Sequence, residues 1–319
     1  QKKLDLTNIL PILHNLGIHV IDQLTSRFGD SNTTIGYIHG FRILDHKKNK
    51  LKESVISERL TGALKDIYDY KLPNDPLDKL IISSSLSSED IFILQSFRSY
   101  LFQIIQNTHS ISSINQALCN YPKLCELFIS LFKARFDPSI LSIERPKLFK
   151  KIKNRSKKLL KDVQSISDDQ LFQSLFSLID GCVRTNYYIK LESDPISFKF
   201  NCQDIKGMPT PIPFKEIFVF DIDIEGIHIR FGDIARGGLR WSNRLEDYRV
   251  EVLGLVKTQQ TKNAVIVPEG SKGVFVIKKT TVNQDTGIMQ YKRFIESMLQ
   301  LTDNIKNGQR CTSDALICH

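Results

Sequence analysis

Four apolar positions at helical spacing, Ile9, Ile12, Leu13 and Leu16, with Gly17 as a C-cap, predict a helix over residues 8–17 feeding a β-branched strand over 18–21. A polar, glycine-containing stretch from 26 to 33 reads as a turn. Beyond it Ile35, Tyr37, His39, Phe41 and Ile43 alternate as a half-buried strand does. Helix, strand, strand in that order suits the end of a small α+β module.

From 51 to 180 the apolar step changes to three and four residues. Leu51, Val55, Leu60, Leu64, Ile67 and Tyr68 trace one helix, which Pro73 and Pro76 end. Ser88, Glu89 and Asp90 mark a second N-terminus, since acidic residues favour a first turn, and Ile91, Leu94, Phe97, Leu101 and Ile105 continue its stripe. A third helix is predicted over 118–136, entered around Pro122, a fourth over 145–161 and a fifth over 168–186.

After 196 the pattern changes again, with Pro209, Pro211 and Pro213 forming an extended linker. Apolar runs over 217–224 and 227–231, separated by Glu225-Gly226 as a tight turn, predict two strands. Leu245, Tyr248, Val252, Leu255 and Val256 share one helical face within 244–261, and residues 264–267 and 274–277 read as buried strands. Strand, helix, strand requires a crossover in an α/β layer. The predicted fold class is thus mixed α+β and α/β. A small α+β module occupies 1–45, a helical region 46–195, a mixed α/β domain 196–308, and residues 309–319 are unassigned.

The chain is 319 residues long, 41% hydrophobic and 25% charged, ordinary globular values that exclude disorder. No stretch approaches the roughly 18 uncharged apolar residues of a membrane span. A net charge of +9 suggests a polyanionic partner until the charges are placed. Nine basic and no acidic residues lie between Arg145 and Lys161, which leaves 35 of each sign elsewhere. The whole excess belongs to one helical segment, so nucleic acid is not the expected partner. Cys119, Cys125, Cys182, Cys202, Cys311 and Cys318 show neither C-x-x-C nor zinc-site spacing. Reduced thiols, no metal site and, with no export-like segment at the start, a cytoplasmic location are expected.

Candidate chemistry concentrates in residues 232–276. Arg236 precedes Gly237-Gly238, Lys262 ends the predicted helix, and Lys272 sits between Gly270 and Gly273, where missing side chains let a ligand approach the backbone. Three cations in one cleft suit a dianionic small molecule. A lysine crowded by like charge and burial titrates lower, and the neutral amine can take a proton or activate water. Neither a phosphate loop nor the dinucleotide fingerprint G-x-G-x-x-G occurs in the sequence.

At ARGGLRWS (235–242), EDYR (246–249), EVLGLVKTQQTKNAVIVP (251–268) and GSKG (270–273) the sequence resembles the large NAD-dependent glutamate dehydrogenases of bacteria. RTNYY (184–188) and EGIHIRFG (225–232) are similar to that family's approach segment, residues 85–104 and 131–138 to its helical region, and residues 1 to about 45 to the end of its ACT-like regulatory modules. The resemblance implies an oxidoreductase converting L-glutamate, NAD and water to 2-oxoglutarate, ammonium and NADH. It implies that Arg236, with Gly237 and Gly238, binds one substrate carboxylate, that Lys262 holds the other, and that Lys272 is the catalytic lysine. Arg240 closes the glycine motif and is expected to pair with an acidic neighbour such as Glu246. Val274 stands where the family usually has a second glycine, and Glu269 adds a negative charge before the catalytic segment.

The family's catalytic aspartate and its NAD-binding domain are expected beyond His319, which leaves no cofactor-binding residue here and makes this chain a substrate-binding portion, inactive alone. A homo-oligomer is implied for the full-length protein. Two other readings stand beside this one: a non-enzymatic module that binds nucleic acid or an acidic surface through 145–161, and a truncated remnant without present function.

Overall fold

The computed structural model describes residues 5–30, 33–262, 269–279, 283–306, 308–311 and 316–319. The chain divides into two compact units, Gln1–Gln95 with Asn115–Glu126, and Ser96–Ile114 with Leu127–His319.

In the first unit, α1 (Leu6–Asn15) is capped by Asp5, whose carboxylate accepts the Thr7 N–H at 3.2 Å, and buries Ile9 and Leu13. It leads into an antiparallel ribbon of β1 (Ile18–Asp30) and β2 (Thr33–Asp45). The strands run through most of the stretch expected to turn, with Ser26 opposite Ile38 and Arg27 opposite Tyr37. An exposed two-stranded ribbon has no fully buried face, so polar residues do not end it. The helix expected over 51–68 is a π-helical turn (Val55–Leu60) followed by α2 (Thr61–Tyr68). A short 3-10 turn (Pro76–Lys79), α3 (Leu80–Ser83) and the first half of α4 (Ser88–Ile105) complete the packing. Asp78, buried there, accepts the Gln95 side-chain amide at 2.9 Å. The single helix expected over 118–136 is two, α5 (Ile111–Asn120) and α6 (Pro122–Phe136). Pro122 lacks the N–H that a continuous helix would use and suits a first helical position.

The second unit adds α7 (Arg145–Leu160) and α8 (Ile166–Gly181), the latter capped by Ser165. The helix expected to reach 186 stops at Gly181, and β3 (Cys182–Thr185) opens a six-stranded sheet. Its other strands are β4 (Ile196–Asn201), β5 (Lys215–Phe220), β6 (Ile224–Arg230), β7 (Ala235–Ser242) and, after α9 (Tyr248–Lys262), β8 (Glu269–Ile277). The order is β3-β4-β5-β6-β8-β7, with β7 parallel to β8 and the other neighbours antiparallel. A strand-helix-strand crossover is present as β7-α9-β8, but its first strand is β7 and not the expected 227–231, which as part of β6 runs antiparallel to β8; β8 takes in the expected 274–277, and residues 264–267 lie outside the described residues. α10 (Gln284–Leu299) follows, then a small hairpin of β9 (Asn304–Lys306) and β10 (Gln309–Cys311).

Helices cover both sheet faces. On one, Phe97 and Tyr100 of α4 meet Phe198 and Phe200 of β4 at ring separations of 4.5 and 4.3 Å. On the other, Phe294 of α10 closes a core with Val219, Ile224 and Phe275. That packing explains an error in the sequence reading. Glu225-Gly226 is no turn but lies inside β6, and the chain reverses over 221–223. A Cβ at Gly226 would stand 2.6 Å from the Phe294 ring and 2.7 Å from the Val274 carbonyl oxygen, so the glycine serves helix-on-sheet contact.

Candidate active site

The glycine-rich segment ARGGLRWS, to which the apolar pattern assigned no element, is the edge strand β7. It pairs in parallel with β8 so that Arg236 lies opposite Gly270 and Gly238 opposite Lys272. A Cβ at Gly237 would collide with the Ser271 carbonyl, so only glycine lets the two backbones close at this register. A Cβ at Gly238 would lie 3.9 Å from Lys272 Nζ, which places the lysine ammonium over the bare Cα of its neighbour strand. Lys272 is half-buried, and buried Ile229 of β6 is its partner on the other side.

Topology brings the other two candidate cations to the same end of the layer. Arg236 is the second residue of β7, Lys272 the fourth of β8, and Lys262 the last of α9, the helix that returns the chain to the start of β8. The side chains of Arg236 and Lys262 lie outside the described residues. This is the N-terminal end of the parallel strands, opposite to the carboxyl end where open α/β sheets ordinarily take ligands. The negative end of a helix faces this side and repels an anion, so a bound carboxylate depends on cationic side chains.

Arg240 pairs with Glu251 of α9 at 3.1 Å, not with Glu246. Glu251 also accepts the Ser242 hydroxyl at 2.5 Å, so one carboxylate ties the end of β7 to the first turn of α9. Glu246 is exposed and contributes only its carbonyl, which accepts from Gln103 at 3.1 Å. Glu269 turns away from Lys272: its side chain packs on Gly232.

The EDYR segment anchors α9 more deeply than sequence reasoning foresaw. Tyr248 donates to Glu225 at 2.7 Å, and Arg249, 1% exposed, pairs with fully buried Glu216 at 2.6 Å. Tyr100 donates to the other Glu216 oxygen at 2.7 Å. Burial, reinforced by Glu216, holds the Tyr100 hydroxyl well above the usual tyrosine range, so it remains a proton donor in this network.

Behind the lysine, on the α10 face, His228 lies 3.1 Å from the Ser271 hydroxyl. Burial, with Arg230 adding to it, pushes the imidazole down to about 4. Above the ordinary value of 6.5 folded and unfolded forms are both neutral. Below it the unfolded chain takes up a proton that the fold refuses. Stability conferred by a neutral His228 is thus lost as pH falls from 6.5 toward about 4, by up to about 3 kcal/mol. Urea denaturation at stepped pH checks this: the acid-side slope should flatten in His228→Gln, and an unchanged slope would contradict the assignment.

None of the six cysteines is joined in a disulfide, and burial pushes the Cys182 thiol up to about 12, which makes it unreactive. Among the described residues no group of three or more His, Cys, Asp or Glu side chains could hold a metal ion, and no helix is long and apolar enough to cross a membrane.

Residues 155–319, more than half of the chain, match the family described as bacterial NAD-glutamate dehydrogenase, catalytic domain. Residues 72–138 match glutamate dehydrogenase helical motif 3, and residues 1–56 the glutamate dehydrogenase ACT3 domain. The NAD-specific glutamate dehydrogenase of Halomonas elongata is 37% identical over 95% of this chain and 19% of its own length. That of Pseudomonas aeruginosa is 35% identical over 96% and 20%, and that of Mycobacterium tuberculosis 30% identical over 95% and 20%. The chain spans about a fifth of the length of these curated relatives. With the glycine-lysine register of β7 and β8 beneath these matches, the chain belongs to the bacterial NAD-glutamate dehydrogenase family.

Proposed function

We propose that this chain is the substrate-binding portion of an enzyme that converts L-glutamate, NAD and water to 2-oxoglutarate, ammonium and NADH. The observation that carries this reading is Lys272 Nζ held over Gly238 at the end of the layer where Arg236 and Lys262 also lie. A dicarboxylate entering there has a cation for each end, Arg236 for one carboxylate and Lys262 for the other. Lys272 then faces the α-carbon, where its amine takes a proton from the attacking water. Gly238 keeps the floor of the site beneath Lys272 free of a side chain, and Gly237 lets the two strands that carry Arg236 and Lys272 close on each other.

The strand-helix-strand unit among the described residues does not fit NAD. In β7-α9-β8 the strand-to-helix turn, residues 243–247, contains no glycine, and its one cation, Arg244, is already paired with Asp247, which leaves the exposed Glu246 to repel a pyrophosphate. The cofactor is therefore assigned to the part of the subunit beyond this chain, a reading supported by the much greater length of the relatives. Free cysteines suit a reducing, cytoplasmic compartment, and a homo-oligomer is carried over from the family.

Calorimetric titration of this chain with L-glutamate and 2-oxoglutarate tests the proposal. Both should bind at one site, more tightly than L-glutamine, which lacks the second carboxylate, and no NADH should form when NAD is added. Equal binding of L-glutamine, or turnover by this chain alone, would overturn it.

A further inference from the structure

The charge excess found in the sequence has a structural partner. α7 and α8 enclose a cavity of about 550 Å3, within the range of small-molecule sites. Phe149 and Leu160 of α7, Val163, Ile166 and Phe176 give it an apolar wall. Ile166 is 77% exposed beside it, an apolar side chain with nothing over it.

The rim is cationic. Lys153, Lys157 and Lys161 recur at four-residue steps, so they form a row on one side of the helix at about 6 Å per step, and Lys206 approaches from the opposite wall. Two carboxylates also line the cavity, and each is already engaged. Asp180 accepts from Lys153 at 2.6 Å, and Asp169 accepts from Gln173 at 2.7 Å, whose carbonyl in turn accepts from Lys206 at 3.1 Å. Among the described residues Lys157 and Lys161 have no ion-pair partner. The lysine row borders an open apolar trough, and a lysine stem covers apolar surface while its ammonium stays in water, which suits a ligand that is apolar along its body and anionic at its end.

We propose that this cavity is a binding site for an anionic amphiphile, with an apolar body against Phe149, Leu160 and Phe176 and a carboxylate or phosphate head on Lys157 and Lys161. Charge complementarity selects the head, since four lysines of the lining (Lys153, Lys157, Lys161 and Lys206) stand against two carboxylates (Asp169 and Asp180) and leave it net positive. The site is separate from Lys272 and uses none of the residues assigned to glutamate.

Calorimetry on the full 319-residue chain with octanoate, octyl phosphate and 1-octanol tests this, the two anions distinguishing a carboxylate head from a phosphate. At least one anion should bind saturably at one site, about tenfold or more tighter than the alcohol. Lys157→Glu/Lys161→Glu should abolish that preference, Lys157→Arg/Lys161→Arg should keep it, and L-glutamate affinity should be unchanged in both. Both lysines are exposed, so neither substitution buries a charge or disturbs the core. Equal affinity for the alcohol and both anions, or undiminished anion binding in the glutamate variant, would overturn the proposal.

Discussion

Replacing Lys272 by methionine in the subunit that contains this chain is expected to lower kcat for glutamate oxidation by about 10²- to 10⁴-fold, the span associated with loss of a positioned general acid or base. Glutamate affinity should change far less, because the proposed carboxylate partners are Arg236 and Lys262. Lys272→Arg separates proton work from charge. A guanidinium keeps the positive charge over Gly238 but does not deprotonate, so the arginine variant should be as slow as the methionine one. Initial rates of NADH formation, with KM for glutamate measured in parallel, decide the matter. Recovery of the rate in Lys272→Arg would show that the residue acts only as a charge. The geometry makes the test sharp: Lys272 stands opposite Ile229, reaches over a glycine and among the described residues has no ion pair for either substitution to remove.

The parts legible in the sequence were those where burial repeats with one period. The β-branched and aromatic runs of β5, β6 and β8 and the stripe of α4 declare themselves because each buries a full face. β7 did not, because ARGGLRWS combines two glycines with two arginines and contains no β-branched residue. It is a strand because β8 offers it a parallel partner and Gly237 lets the backbones meet. The same confusion made Gly226 look like a turn when it is a place of close helix packing. The candidate lysines were legible through their glycine neighbours and the family resemblance.

What no local pattern could show was which distant charges meet inside the fold. Glu216 and Arg249 are 33 positions apart, yet they meet in the interior. Glu251, rather than Glu246, reaches Arg240 because position 251 is inside α9 while 246 still lies in the exposed turn. Charge position mattered in the same way for α7. Its lysines were visible in the sequence, but the apolar trough beside them depends on α8 and Phe176, which no count of charges reveals.

The largest stability effect is expected at that interior pair. Arg249→Met removes a guanidinium that is 1% exposed and leaves the carboxylate of Glu216, 0% exposed, with the Tyr100 hydroxyl as its remaining strong donor. Breaking a buried pair from one side costs about 3–5 kcal/mol, a large part of the roughly 5–15 kcal/mol that holds an ordinary domain. Glu216→Gln alone strands the arginine and should cost a similar amount. The double variant Arg249→Met/Glu216→Gln should regain much of the loss, since a neutral amide against a methionine leaves no uncompensated charge. Urea unfolding of the three variants closes a double-mutant cycle whose coupling term measures the pair directly. A loss under about 1 kcal/mol in Arg249→Met, or costs that simply add, would mean that the pair does not hold α9 to the sheet. Because α9 carries Lys262 at its far end, loosening its first turn should also weaken glutamate binding in Arg249→Met, and the double variant should restore affinity along with stability.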